Sequence, residues 1–374
     1  MSDLGYMEKL LDGVEVEWID IKDLCDVITT GKLNANAMED DGIYPFFTCN
    51  EYPYKINSYA FDLEAILISG NGSQVGHLNY YNGKFNAYQR TYVIGDFKDN
   101  VKVMYFFYYL NHTLKNYITK NSRKGSVPYI TMPMLENFKI PIPSLNVQAE
   151  IVRILDVFTE LTAELTAELV ARKQQYEYYR DQLLTFDNDK AEVKTLEEIC
   201  IMRAGQHISA SKILADIDID HIYPCFGGNG IRGFVNKNSH DGSYLLVGRQ
   251  GALCGNVHRM NGKFYATEHA VVVTAKEGIN IDWAFHMLTL MNLNQYASKS
   301  AQPGLAVGKL ASLKVSVPPL DEQERIASIL DKFDTLTTSL TEGLPREMAL
   351  RQQQYEYYRE LLLSFPKPEV VIHD

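Results

Sequence analysis

The sequence predicts an α+β protein built twice, with two strand-rich globular domains separated by two long helices that form an antiparallel coiled coil. Three observations carry this. The fifteen residues from Arg172 to Phe186 return 179 positions later, from Arg351 to Phe365, with 11 identical, among them Gln174-Gln175-Tyr176-Glu177-Tyr178-Tyr179-Arg180. Ahead of each copy, short apolar runs are punctuated by Gly-rich and Asn-Gly segments, the pattern of strands and tight turns. Leading into each copy, apolar residues recur at spacings of three and four, the stripe of a packed helix. A period of roughly half the chain is too long for a solenoid and marks duplication of a whole domain-plus-helix unit.

The first domain, residues 1–143, takes its strands from runs such as Ala65-Ile66-Leu67-Ile68 and Thr91-Tyr92-Val93-Ile94, and one helix is predicted near Val101–Leu114. Proline in Ile140-Pro141-Ile142-Pro143 holds the chain extended and launches the next element. That element is the first long helix, in segment 144–188. From Val147 to Leu184 it would run about 57 Å at 1.5 Å per residue. Its stripe includes Ile151, Leu155, Phe158, Leu161, Tyr176 and Tyr179. It contains the tandem Thr162-Ala163-Glu164-Leu165 and Thr166-Ala167-Glu168-Leu169, each unit lengthening the rod by about 6 Å.

The second domain, residues 189–318, repeats the plan. Gly251 and Gly255 match Gly72 and Gly76, and Asn82-Gly83-Lys84-Phe85, read as a turn, recurs as Asn261-Gly262-Lys263-Phe264. Strands are expected at Tyr244-Leu245-Leu246-Val247 and Ala270-Val271-Val272-Val273, and a helix near Asp282–Leu293. Val317-Pro318-Pro319 then launches the second long helix, in 319–366, with 367–374 as a tail. Asp321 and Glu324 fit a capping box at its start. Gly343 and Pro345 predict a kink or break near Thr341–Pro345, because proline inside a helix costs about 3 kcal/mol. Neither rod can bury its stripe alone, and the nearest partner is its duplicate.

At 374 residues the chain has room for two or three domains. Its 46% hydrophobic and 22% charged residues are ordinary for a globular protein. The start, Met1-Ser2-Asp3-Leu4, has neither a basic nor an apolar leader, and no apolar run approaches the ~20 residues that span a bilayer, so a cytoplasmic protein with no membrane partner is expected. Five cysteines without a CxxC pair imply buried reduced thiols and neither a disulfide framework nor a metal site. The net charge of −11 argues against a nucleic-acid partner only until it is divided along the chain. Residues 26–143 carry +1 and 201–315 carry +4, while 1–25, 144–200 and 316–374 carry −5, −6 and −5. Binding fields depend on where charge sits, so both domains remain open to a polyanion.

Several motifs dissolve on inspection. Gly228-Asn229-Gly230-Ile231-Arg232-Gly233 has the GxGxxG spacing, but no helix start follows to hold a pyrophosphate, so a glycine turn is read. Pro318-Pro319 is preceded by Val317 and followed by Leu320, leaving no carboxamide for an adenine amino group. Gly70-Asn71-Gly72-Ser73 and Lys124-Gly125-Ser126 lack Walker spacing. His77, His221, His240, His258 and His269 have no ligand spacing and read as surface or satisfied core histidines. These readings speak against catalysis by the chain on its own.

Two Pro-launched helices of the form Leu-x-x-Gln-x-x-Ile, then Ile-Leu-Asp-x-Phe, each ending in Gln-Tyr-Glu-Tyr-Tyr-Arg and separated by variable domains, resemble the specificity subunit of type I restriction–modification enzymes. Glu342-Gly343-Leu344-Pro345-Arg346-Glu347 fits the same family, whereas Asn146-Val147-Gln148-Ala149-Glu150 departs from its usual helix start. The resemblance covers the chain in organisation and is motif-specific in the helices. It implies that each domain is a target-recognition domain reading one half of a bipartite, asymmetric double-stranded DNA sequence. It also implies that the coil sets the spacer, that two methyltransferase subunits dock along the halves, and that restriction subunits join through that core. No cofactor is implied in this chain; S-adenosylmethionine, ATP and magnesium would belong to the partner subunits.

For DNA contact the candidates are basic residues of the two domains: Lys84, Arg90, Lys120, Arg123 and Lys124 in the first, and Arg232, Arg249, Arg259, Lys263 and Lys299 in the second. Arginine forks suit guanine edges and lysines suit phosphates. In the repeated phrase, Tyr176, Tyr179 and their copies are read as packed in the coil, with Arg172, Arg180, Arg351 and Arg359 pairing acids four residues away. The ring edges of Tyr178 and Tyr357 are candidates for partner docking. The alternatives are a coiled-coil scaffold that never touches DNA, and a methyltransferase–nuclease fusion, against which the missing motifs speak.

Overall fold

A computed structural model describes residues 10–11, 13–121, 128–186, 191–299 and 303–366. The first half runs β1 (Glu17–Asp20), α1 (Ile21–Leu24), β2 (Cys25–Thr30), β3 (Tyr44–Phe47), β4 (Tyr54–Ile56), β5 (Phe61–Ser69), β6 (Leu78–Ala87), β7 (Thr91–Phe97), α2 (Val103–Asn121), α3 (Met132–Glu136), β8 (Lys139–Ile142) and α4 (Leu145–Leu183). The second half repeats that order as β9 (Glu192–Thr195), α5 (Leu196–Ile199), β10 (Cys200–Ala204), β11 (Tyr223–Gly227), β12 (Gly230–Val235), β13 (His240–Gly248), β14 (Val257–Ala266), β15 (Ala270–Ala275), α6 (Ile281–Leu290), α7 (Val307–Ala311), β16 (Lys314–Val317), α8 (Leu320–Thr338) and α9 (Gly343–Leu363).

The chain forms two compact units whose borders fall inside the long helices: residues up to Glu164 with those from Ala349 onward, and Leu165–Met348. Each unit holds a six-stranded sheet of one topology, β2-β7-β5-β6-β3-β4 in the first and β10-β15-β13-β14-β11-β12 in the second. The β3–β6 and β11–β14 pairs are parallel. The antiparallel pairs β1–β8 and β9–β16 form two separate two-stranded sheets. The fold is therefore α+β, duplicated, with two sheet-rich domains and long helices.

The sheets are buried on both faces, which is why their strands read as continuous apolar runs. In β5, Ile66 and Ile68 join the core under Tyr105, Phe106 and Leu110 of α2, while Ala65 and Leu67 pack with Phe47 and Phe85 on the other side. In β13, Leu245 and Val247 meet Trp283 and Met287 of α6, and Leu246 meets Phe226 and Phe264. The alternation is the period of two that a strand imposes.

Each unit also packs segments of both long helices. In the first, Phe158 of α4 lies 6.2 Å from the Tyr355 ring and 5.4 Å from the Tyr358 ring of α9, and Leu362 and Leu363 are buried with Ile151 and Leu155. In the second, Tyr179 of α4 stacks on Phe333 of α8 at 5.6 Å. Tyr179, Tyr355 and Tyr358 thus pack against the other long helix as expected, whereas Tyr176 turns to His286 of α6, with ring centres 6.0 Å apart.

Three local expectations are corrected and a fourth is met. Asn82-Gly83-Lys84-Phe85 and its copy are mid-strand, in β6 and β14, with Gly83 at φ +128° and Gly262 at φ +86°. The second long helix starts at Leu320 behind Pro319 with no side-chain cap, so Asp321 and Glu324 sit inside the helix and form no capping box. The expected break is there, at residues 339–342, overlapping the predicted Thr341–Pro345, and Pro345 falls in the first turn of α9, where a missing N–H costs little. Gly343, at φ +75°, is required there, because a Cβ would lie 2.6 Å from the Thr335 carbonyl oxygen. Finally, Arg172 pairs with Glu168 as expected, but Arg180 contacts the adjacent Asp181 and lies over the Tyr176 ring, and Arg359 lies over Tyr355.

Candidate nucleic-acid interface

The motif residues of the helices hold the frame. Gln148 is fully buried and its Nε2 donates to the Asn100 and Pro143 carbonyls at 2.9 and 2.8 Å, while its Oε1 accepts from the Lys102 N–H at 2.8 Å. Gln323 repeats the pattern with the Gly278 and Pro318 carbonyls and the Asn280 N–H. A carboxamide is the side chain that both donates and accepts here, so glutamine ties each helix start to its sheet domain. Asp156 and Asp331 make the next tie. The Tyr108 hydroxyl of α2 donates to Asp156 at 2.6 Å.

In the second unit, His286 of α6 takes the place of Tyr108. It is wholly buried, its Nε2 lies 2.8 Å from Asp331, and its Nδ1 lies 3.1 Å from the Tyr176 hydroxyl. One tautomer satisfies both contacts, with Nε2–H donating to the carboxylate and Nδ1 accepting from the phenol. Burial pulls the His286 pKa below 6.5 against the opposing pull of Asp331, which keeps the ring neutral.

Above this frame, four loops meet at one place in each domain. In the first, the Gly70 N–H donates to the Arg90 carbonyl, Tyr88 N–H to Phe47, Gln89 N–H to Leu33, and the Cys49 thiol to Asn71. A cleft of about 250 Å³ opens there, lined by Thr30, Asn71, Gln89, Arg90 and Tyr129 among others. In the second, Arg249 N–H donates to the His269 carbonyl, Thr267 N–H to Phe226, and Asn256 bonds Asn229. The repeated glycines are turn residues of these loops: Gly72, Gly76, Gly251 and Gly255 all have φ between +78° and +95°. In the second cluster, Gln250, His269, Glu268 and His207 form a chain of side chains, with His207 Nδ1 2.8 Å from Glu268 Oε1 and His269 Nδ1 against Gln250. Burial raises the Glu268 pKa, yet the bond from His207 and the neighbouring charge outweigh it and keep the carboxyl below its usual value. Glu268 is therefore an ionised acceptor at neutral pH.

The candidate basic residues scatter over this framework. Arg90 sits in the first loop cluster, exposed, with no carboxylate within ion-pair distance among the described residues. Lys120 is exposed at the end of α2, and Arg123 and Lys124 lie outside the described residues. Lys84 stands on β6 with its ammonium 4.7 Å from the Tyr59 ring centre, and Lys263 is exposed at the matching place on β14, across from Asp241. Arg232 is exposed on β12, just past the glycine turn, which is a β11–β12 hairpin with no helix behind it. Arg249 belongs to the second cluster and donates to the Glu268 carbonyl. Lys299 is exposed on the segment whose later residues bond Arg249 and Gly251.

Arg259 is committed elsewhere. Its guanidinium pairs with Asp282 and Asp331, approaches Asp334, and lies 4.1 Å from the Phe285 ring centre. It clamps β14 to α6 and α8, so it leaves the set of DNA candidates. Tyr178 and Tyr357 are 62% and 55% exposed, each ring steeply inclined to that of the next residue, Tyr179 or Tyr358. Sequence reasoning missed Gln148, Gln323 and His286 as frame residues, and Gln250, Glu268 and His269 as cluster residues. The signal for the last was available: unlike residues in a turn whose flanks repeat.

Comparison with known proteins places these features in a family. The profile described as Type I restriction modification DNA specificity domain matches residues 13–172 and again 188–349. The chain is 50% identical over 377 residues to the Type I restriction enzyme EcoprrI specificity subunit of Escherichia coli, covering 91% of this chain and 93% of that protein. It is 34% identical over 426 residues to the EcoR124I/EcoR124II specificity subunit of the same species, covering 99% and 100%. In fold it is similar to the crystal structure of a type I restriction–modification S subunit from M. genitalium, with a TM-score of 0.66, 15% identity, and 95% and 98% of the two chains covered.

Proposed function

The chain belongs to the type I restriction–modification DNA specificity family, and from that membership we propose that its two target-recognition domains read the two unlike halves of one bipartite DNA sequence for partner subunits. The observation that carries this reading is the pair of loop clusters. Two sheets of one strand order pin their loops by matching backbone bonds, yet present Asn71, Gln89 and Arg90 in one case and Gln250, Glu268 and His269 in the other. A shared frame with unlike faces is what reading two different half-sites requires.

In this reading the chain is the non-catalytic specificity subunit. The long helices fix the spacer between half-sites, and Tyr178 and Tyr357 offer exposed ring edges to two methyltransferase subunits, through which restriction subunits join. S-adenosylmethionine, ATP and magnesium serve in those partners. The test is binding of duplexes by the chain assembled with its methyltransferase subunits, over a range of salt. Sequence-selective binding that weakens steeply with salt is expected. Binding blind to sequence, or none, overturns the reading in favour of a protein scaffold.

A further inference from the structure

We infer that the short turn after β6, Tyr88-Gln89-Arg90, and its copy after β14, Thr267-Glu268-His269, each select one base pair of their half-site, the first by donating to a guanine edge and the second by accepting from a cytosine or adenine amino group. The inference rests on the DNA-reading proposal and assigns it to particular side chains. Its first support is geometric. Tyr88 N–H donates to Phe47 and Thr267 N–H to Phe226, at 2.8 and 2.9 Å; the carbonyls of Arg90 and His269 accept from Gly70 and Arg249, at 2.9 and 2.8 Å. The backbone is thus pinned identically, and only the side chains differ.

The second support is chemical. Arg90 presents a fork of donors with no carboxylate at ion-pair distance among the described residues, beside Asn71 and Gln89, and such a fork matches the two acceptors, O6 and N7, of guanine in the major groove. Glu268 has only acceptors when ionised. His207 and His269 flank its Oε1, which keeps a second lone pair, while its Oε2 lies beneath the surface without a hydrogen-bond partner among the described residues. A carboxylate with uncommitted acceptor capacity complements an amino donor, which cytosine and adenine offer in that groove.

Flanking charge is the third support. Ile130 N–H donates to Gly70, Gly251 N–H to Pro303 and Leu305 N–H to Arg249. Ile130, Pro303 and Leu305, which come after Lys120 and Lys299 in the chain, are thus bonded to the same clusters. Lys120 and Lys299 would hold phosphates and fix register without carrying sequence information.

The test uses the chain assembled with its methyltransferase subunits and a library of randomised duplexes, reading which sequences become methylated. Glu268→Gln and the double replacement Glu268→Gln/His269→Arg should change the preference at one position of one half-site by about tenfold to a hundredfold, leaving the other half-site and the gap as they were. The reciprocal Gln89→Glu/Arg90→His should act on the other half-site alone, and it carries the test if the first pair fails to assemble. A wild-type motif in every assembled variant overturns the inference, as does an equal loss at both half-sites. An unselective wild-type complex would instead strike the DNA-reading proposal itself, before any variant is made.

Discussion

The ring of Tyr179 lies on that of Phe333, centres 5.6 Å apart and planes 27° from parallel. The pair repeats as Tyr358 on Phe158, at 5.4 Å and 34°. The tyrosine of one long helix therefore meets the phenylalanine of the other in both units. Offset aromatic pairs contribute about 0.5–1.5 kcal/mol beyond their buried area. A double-mutant cycle with Tyr179→Leu and Phe333→Leu should return a coupling of that size in thermal or denaturant unfolding. Additive effects would show that the rings merely fill space.

Tyr178 and Tyr357 predict the opposite balance. Both are largely exposed, so Tyr178→Ser and Tyr357→Ser should change stability by no more than about 0.5 kcal/mol. Methyltransferase-subunit binding, measured by calorimetry or analytical ultracentrifugation, should weaken. Full-strength assembly by the double variant would remove these rings from the docking surface.

Gln323→Leu should cost about 2–4 kcal/mol, because it leaves the Asn280 N–H and two carbonyls without their partner inside the protein. Gln148→Leu should do the same in the other unit. Denaturant midpoints of the two variants are the measurement. A shift no larger than that of an exposed substitution would mean that water replaces the carboxamide.

Stability should fall as pH drops below about 6.5. His112, His240, His258 and His286 all have pKa values lowered by burial. The unfolded chain then binds more protons than the folded one between 6.5 and each lowered value, and the stability tied to the neutral ring is lost across that window. His286→Tyr, which copies Tyr108, should flatten the pH dependence measured between pH 6.5 and 5. An unchanged slope would place the acid sensitivity on the other three rings.

Deleting Thr162-Ala163-Glu164-Leu165 removes one four-residue unit of α4. Helix of about 6 Å is lost, against 3.4 Å per base pair, so the gap between half-sites should shorten by about 1–2 bp. Both half-sites should stay as they are, and mapping methylated positions reads the result. An altered half-site would show that the helix does more than set spacing.

The duplication, the strands and the helices are legible in the sequence because each rests on local periodicity. What is not legible depends on partners far along the chain. Gln148 reaches residues 46 and 48 positions away. Arg259 reads as a free cation until Asp282, Asp331 and Asp334 converge on it. Asn82-Gly83 has turn chemistry, yet pairing of β6 with β5 across Leu63 and Glu64 keeps it in the strand. Loop clusters are hidden for the same reason, since four separate loops build each.

The unit that contains the amino-terminal domain is closed by residues from Ala349 onward, whereas the other is one unbroken stretch. During translation the earlier domain can still fold first, as is usual, but its unit is completed last. The first sheet can form early, but Ile151, Leu155 and Phe158 wait for Tyr358, Leu362 and Leu363 to leave the ribosome. Until α9 is made, the Phe158 side of α4 lacks the rings of Tyr355 and Tyr358, and a message truncated before α9 yields a product in which that side stays uncovered.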